Sequence, residues 1–248
     1  MRGLFRLTWL EVKIFVREPL GLIGTVVIPA LTFIVVGRIV GPPMRRGVTT
    51  LPPVVSVDLP ILTAMLISIS AVLSLVAVIA IYREGGILKR LRATPLRPAT
   101  ILTAHVLVKL LFTAISMAIM VLGGRGYYPV PATVPLVSFS LGVLVSTVAI
   151  LSIGFVLASL APTARFAQPI GALILYPMLG VSGLFVPIED LPSRVQTLAR
   201  LTPFSYGVSL LRGLWRGDGW RLHTTDLAAL AIVFVVCTVA SSKVFRWE

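Results

Sequence analysis

The sequence predicts an all-α polytopic membrane protein with six transmembrane helices. Three observations carry this. The 248 residues are 57% apolar and only 12% charged, whereas soluble domains are about half apolar and a quarter charged. The apolar excess is gathered into runs of the roughly 20 residues that span a bilayer. The basic residues, Lys109 apart, stand at the ends of those runs or in the loops between them. A net charge of +13 on a soluble chain would point to nucleic acid. Here the cations sit where they set topology and meet anionic headgroups, so the expected partner is the lipid bilayer and no nucleic acid is expected.

The chain reads as a single transmembrane domain over 1–248. Residues 1–18 form an interfacial helix. Spans follow at 20–40, 59–81, 101–122, 134–160, 166–186 and 227–242, the last being short. Gly, Pro and charged residues punctuate them. Six spans put both termini on one side. Arg2, Arg6, Lys13, Arg17, Arg83, Lys89, Arg90, Arg92, Arg97, Arg165, Lys243 and Arg246 fall on that side, against Arg38, Arg45, Arg46 and Arg125 in the short loops opposite. The excess of basic residues places both termini in the cytosol.

In the first helix Arg2, Arg6, Lys13 and Arg17 fall within an arc of roughly 60°, beside an apolar stripe of Phe5, Trp9, Val12 and Val16. That pattern lies flat on a membrane and is equally compatible with a plain charged anchor. Charges in WLEVKIFVRE interrupt any signal-peptide core, so no cleaved leader is expected. One cysteine, Cys237, excludes an intrachain disulfide. Asn is absent, as in a thermophile avoiding labile amides or a genome with biased codons. Residues 187–226 carry apolar positions at helical spacing (Val195, Leu198, Leu201; Val208, Leu211, Trp215) between Pro breaks. They read as short amphipathic helices capping the outer face.

Between the second and third spans lies YREGGILKRLRATPLRP. From Glu84 onward it can form a short helix, with Ile87, Leu88 and Leu91 on one side and Lys89, Arg90 and Arg92 on the other. Pro95 and Pro98 stop it. A topology loop alone would be basic, but would need neither the Glu-Gly-Gly start nor the double-Pro finish.

YREGGILKRLRATPLRPATILTAHVL resembles the signature of the ABC type-2 exporter permeases, the six-span membrane subunits of ABC transporters. Arg83, Glu84, Gly86, Leu88, Arg90, Leu91, Ala93, Thr94, Pro95 and Leu96 match its pattern. Tyr82 stands where a first Glu is usual, Ile87 replaces Thr, and His105 replaces a Lys whose role Lys109 can take over. A second stretch, SLAPTARFAQPIGALILYPMLGVSGLFVPIEDLPSRVQTLARLTPFSYGVSLLRG, is similar to the family's fifth span and outer helices through Gly183, Phe185, Pro187, Leu191, Pro192, Thr202, Pro203 and Tyr206.

The resemblance implies a permease in a prokaryotic plasma membrane. It implies two permease copies, as a homodimer, beside two ATPase (nucleotide-binding) subunits, with the coupling helix and the N-terminal helix seated on the ATPase. Arg83, Glu84, Gly86, Leu88, Lys89, Arg90, Leu91, Arg92 and Pro95 would then serve ATPase coupling, and Arg6, Trp9, Lys13 and Arg17 the interfacial helix. Glu84 is a candidate to pair with a cation of the motor, or with Arg6 or Lys13. The chain's four lysines, Lys13, Lys89, Lys109 and Lys243, do not follow Gly, so no phosphate-cradling G-x-x-x-x-G-K-[ST] loop exists. The chain is expected to be no enzyme and to bind no cofactor itself, with ATP and Mg on the partner ATPase.

Several residues admit two readings. Thr63, Ser70 and Ser74 could line a translocation path, although hydroxyls at such spacing more often serve helix packing. Tyr176 and Pro177 suggest a dimer interface and a kink. Lys109, about two turns into its span, is a functional candidate, but is expected to snorkel to the cytosolic surface. Gly180-Val181-Ser182-Gly183 with His223 raises a rhomboid-like intramembrane serine protease, and a passive channel is a further alternative. The leading expectation is a multidrug-type exporter of an amphipathic cargo such as a drug, antibiotic or lipid, with polysaccharide or ion export open within the same family.

Overall fold

A computed structural model describes residues 2–17, 19–35, 59–86, 98–124, 135–161 and 163–244. All regular elements among them are helical. Helix α1 spans Arg2–Arg17. α2 starts at Pro19–Leu22, passes through a π turn at Ile23–Val27, and belongs to an apolar helix running to Val35. α3 is Leu59–Glu84, α4 Pro98–Gly124, α5 Leu136–Leu160 and α6 Ala164–Gly180. α7 (Ser193–Leu201) and α8 (Pro203–Arg216) follow a 3-10 turn at Ile188–Asp190. A second 3-10 turn, Trp220–His223, leads into α9, Thr224–Val244.

Four of these helices are long and apolar enough to cross a membrane, within Ile61–Glu84, Thr103–Met120, Leu136–Leu160 and Trp220–Ser242. The apolar helix Ile23–Val35 and α6 are shorter. α3 is apolar all round, and it is the hub. It packs on α5 most extensively, then on α6 and α4. A helix without a polar face belongs in the middle of a bundle or a bilayer. Ile61, Met65, Ile69, Val72 and Leu75 are fully buried against Phe139, Val143, Ile150 and Leu175. Ser68 Oγ and Thr147 Oγ1, 2.8 Å apart, share a hydrogen bond across α3 and α5. α9 lies on the far side of α5 and leaves Ile232, Phe234, Val235, Val236 and Val239 exposed.

The π turn in α2 has a readable cause. Pro29 lacks the N–H that would bond the Thr25 carbonyl one turn back. The Ile28 N–H reaches back to Ile23 instead, a π-type bond, and Ser116 Oγ of α4 donates to the Thr25 carbonyl at 2.9 Å. The vacancy is filled from a neighbouring helix, which ties α2 to α4.

Three helix limits differ from those read in the sequence. Glu84 does not open a new helix. Glu84 closes α3, and Gly85 and Gly86 complete its end, with Gly86 at φ +63° donating to the Arg83 carbonyl at 3.1 Å. A residue in the left-handed region stops a helix, and Gly adopts it without a Cβ penalty. The fifth apolar helix stops at Gly180 rather than 186, and the chain turns through Gly183 at φ +83°. The last helix is longer than 227–242, because the 3-10 turn hands directly into it at Thr224 and Asp226 places a carboxylate in its first turn. The remainder of the first span, 36–40, and the segment 87–97 lie outside the described residues.

α8 shows why 187–226 carries helical periodicity. Its inner face, Phe204, Val208, Leu211 and Leu214, is buried against α5 and α9, and Trp215 meets Phe139 edge-on with ring centroids 4.9 Å apart. Pro203 starts it, a favoured first helical residue. Gly217 ends it at φ +93°.

Candidate functional site

α1 has three faces, about 100° of rotation separating successive residues. Arg6, Lys13 and Arg17 are exposed along one. Phe5, Trp9 and Val16 are exposed along the second, at 75%, 56% and 53%, an apolar stripe left uncovered by protein. Lys13 Nζ stands 5.6 Å from the centre of the Trp9 ring. The third face carries Glu11 and Phe15, both buried, and docks on α4. Glu11 is the only acidic residue of α1, and its significance was missed in the sequence.

Glu11 anchors a buried polar cluster. Tyr82 of α3 donates its hydroxyl to Glu11 Oε1 at 3.1 Å. His105 of α4 places Nδ1 3.5 Å from Glu11 Oε2. The Tyr82 and His105 rings meet edge-on, centroids 5.3 Å apart. One turn further along α4, Lys109 Nζ donates to Ser74 Oγ at 2.6 Å and lies 3.8 Å from the centre of the Phe15 ring. Tyr82 and His105, two of the three residues by which the chain departs from the exporter signature, thus meet at one carboxylate. Burial pushes the Glu11 carboxyl above its ordinary value of 4.5, while the Tyr82 hydroxyl and the Lys109 ammonium pull it back down. A cleft of about 470 Å³ opens beside the cluster, rimmed by Ile14, Arg17, Pro19 and Ile81.

Lys109 does not snorkel. It is 2% exposed, its ammonium met by the Ser74 hydroxyl and the Phe15 ring and attracted by the Glu11 carboxylate. Buried cations persist only when so compensated.

Arg83 and Glu84, at the end of α3, face a different junction. Arg83 donates through Nη1 to the Ala158 carbonyl at 3.2 Å and through Nη2 to the Ala161 carbonyl. Glu84 Oε1 accepts the backbone N–H of Ala164 at 2.8 Å. The cation therefore holds the C-terminal end of α5 and the carboxylate the N-terminal end of α6, as the helix dipoles favour. Thr163, the residue preceding α6, makes no capping bond of its own.

The other expected residues scatter. Thr63 is buried in α3, Ser70 is half-buried, and Ser74 is engaged by Lys109. Tyr176 is 48% exposed on α6, which contains Pro169 and Pro177. Leu88, Lys89, Arg90, Leu91, Arg92 and Pro95 lie outside the described residues, so their expected coupling helix is not seen. Ser182 and His223 do not form a protease pair. Ser182 is 1% exposed and bonds the Leu179 carbonyl at 2.6 Å, while His223 Nδ1 stands 2.8 Å from Asp226 Oδ2. A nucleophile needs a base within hydrogen-bond reach and access for substrate.

Comparison with known proteins agrees with this architecture. Residues 2–215 match the family model described as ABC-2 type transporter. The inner membrane transport permease YhhJ of Escherichia coli (strain K12) is 32% identical over 145 residues, 56% of this chain and 38% of that protein. Nodulation protein J of Rhizobium leguminosarum bv. trifolii is 30% identical over 95 residues, 38% of this chain and 36% of that protein. Nodulation protein J of Bradyrhizobium diazoefficiens is 28% identical over 134 residues, 54% of this chain and 49% of that protein. The matched stretches span less than half of each relative's length. With most of its length under one family model, the chain belongs to the ABC-2 type transporter family.

Proposed function

We propose that the chain is the membrane subunit of an ATP-driven exporter in a prokaryotic inner membrane, working as a homodimer beside a separate ATPase. The observation that carries this is the family match over residues 2–215, and the relative named an inner membrane transport permease supports the location. The cargo in this reading is an amphipathic compound such as a drug, antibiotic or lipid. ATP and Mg act on the partner, and this chain supplies the helices that its motion rocks.

The cytosolic end fits such a role. α1 is locked to α3 and α4 through Glu11, Tyr82 and His105, so a push on α1 reaches two long apolar helices at once. The segment 85–97, between α3 and α4, is the contact surface for the ATPase in this reading, with Leu88, Lys89, Arg90, Leu91, Arg92 and Pro95 as its working residues. The exposed stripe Phe5, Trp9 and Val16 rests on the membrane, with Arg6, Lys13 and Arg17 toward headgroups or the ATPase. Tyr176, exposed on α6, is placed at the interface between copies.

The test is a mild affinity purification from native membrane with mass spectrometry of what accompanies the chain. A stoichiometric soluble subunit with a G-x-x-x-x-G-K-[ST] loop supports the reading. A stable species that never carries an ATPase, even after crosslinking, refutes it.

A further inference from the structure

Arg83 and Glu84 sit next to the segment proposed to touch the ATPase, yet both side chains bond within this chain, Arg83 half-buried and Glu84 at the surface. Arg83 reaches the Ala158 and Ala161 carbonyls at the end of α5, and Glu84 the Ala164 N–H at the start of α6. Together they reach the facing ends of those two helices. The polarity at each end is matched. Free carbonyls at a helix C-terminus attract a cation, and free N–H groups at an N-terminus attract a carboxylate. Gly85 and Gly86 follow at once, with Gly86 at φ +63°. The chain thus leaves α3 immediately after the two gripping residues. α3 packs against both α5 and α6 along its length, so the grip adds a polar lock at the end where the coupling segment departs.

We propose that Arg83 and Glu84 are positioning residues that clasp the facing ends of α5 and α6 to the end of α3, so that a stroke delivered to the segment after Gly86 moves α6 together with α3. They act inside the permease rather than as contacts to the ATPase. This rests on the exporter reading for the stroke itself. The clasp concerns which helices share it.

The contact can be removed from either side. Glu84→Ala deletes the acceptor. Ala164→Pro deletes the donor, and it suits the site: Ala164 is the first residue of α6, where Pro is favoured, and Thr163 before it is extended at φ −142°, ψ 161°, as a residue preceding Pro must be. The full chain, with Cys237→Ser, is spin-labelled at Gly85→Cys and Phe166→Cys, which flank the clasp, and is studied in lipid nanodiscs with its co-purified ATPase. The distance between labels is measured without nucleotide and after trapping with ATP, Mg and vanadate.

The clasp predicts one narrow distance in both states. Glu84→Ala and Ala164→Pro should each broaden it and make it depend on nucleotide, and the double variant should be no worse than either single one, because both remove the same bond. Glu84→Gln, which keeps an acceptor oxygen, should retain a narrower distribution than Glu84→Ala. An unchanged distribution in both single variants overturns the proposal. So does a wild-type distance that itself shifts by several ångström on trapping. Loss of the ATPase from Glu84→Ala but not from Ala164→Pro would assign Glu84 to the ATPase and also overturn it. A wild-type chain that never carries an ATPase removes the stroke, and with it the exporter reading, whereas the nucleotide-free distances still show whether the contact exists.

Discussion

Lys109 Nζ donates to Ser74 Oγ across 2.6 Å, and both residues are buried, at 2% and 5% exposed, where α4 crosses α3. The ammonium also lies 3.8 Å from the Phe15 ring centre of α1. One cation therefore joins the N-terminal helix to two long apolar helices. Stripping water from a charge is costly, and the cost is recovered only when its partners are in place.

Ser74→Ala follows from this directly. It removes an acceptor from a buried ammonium and leaves a small void, so it should destabilise the protein by about 1–3 kcal/mol. Lys109→Met keeps the length and discards the charge. In the Lys109→Met background the Ser74→Ala penalty should shrink to a few tenths of a kcal/mol, because the hydroxyl no longer serves a cation. Thermal unfolding of the four proteins in one detergent measures the coupling. Equal Ser74→Ala penalties in both backgrounds would show that the hydrogen bond is energetically idle.

Tyr82→Phe should weaken the docking of α1 in a pH-dependent manner. Folding raises the Glu11 carboxyl above 4.5, chiefly through burial, with Tyr82 and Lys109 opposing. A carboxyl raised by folding holds its proton more tightly in the folded chain. Its contribution to stability is complete below the unfolded value and is lost as pH rises through the raised value. The Tyr82 hydroxyl limits that loss by bonding the ionised form. Tyr82→Phe should therefore cost about 1–2 kcal/mol at pH 8, and the cost should fade as pH drops through the Glu11 value. In a Glu11→Gln background the same substitution should show a flat pH profile, which separates Glu11 from the neighbouring His105. Melting temperatures between pH 8 and pH 4 give the four curves.

Much of the scaffold was legible in the sequence, because long apolar runs have few ways to be buried. Ile61 to Ile79 read as a helix long and apolar enough to span a bilayer, and the helical spacing of Val208, Leu211 and Trp215 marked the inward face of α8. What could not be read were pairings between distant segments. Glu84 closes α3, and its carboxylate meets the Ala164 N–H, 80 residues later. Lys109 stays inside because Ser74 and Phe15 await it. One local signal was available. Glu11 is the sole acid on a basic helix, and it falls on the face opposite both the cationic and the apolar stripes, where neither cytosol nor lipid explains it.

Orientation can be tested with the chain's own economy of thiols. In a Cys237→Ser background, Gly85→Cys and Asp190→Cys place single thiols on exposed positions at the end of α3 and in the turn after α6. With both termini in the cytosol, a membrane-impermeant maleimide added to intact cells should label position 190 and spare position 85, and permeabilisation should expose position 85. The reverse pattern would invert the topology assigned from the basic residues.

Gly213 tests how α8 is joined to α9. A Cβ on Gly213 would collide with the His223 ring, whose Nδ1 stands 2.8 Å from Asp226 Oδ2. Ser209 of α8 donates to the same oxygen at 2.9 Å, and Asp226 is 8% exposed. α8, the 3-10 turn and the start of α9 thus meet at one carboxylate. Gly213→Ala should expel the imidazole, strip Asp226 of a partner and destabilise by about 1–3 kcal/mol. Gly219→Ala, where a Cβ meets nothing within 4 Å, should stay within about 0.5 kcal/mol of wild type. The collision has a specific signature. With His223→Ala already present the obstacle is gone, so adding Gly213→Ala should cost little more. If Gly213→Ala is as harmful without the imidazole as with it, the penalty comes from the helix itself, and the three-way junction at Asp226 does not depend on that close approach.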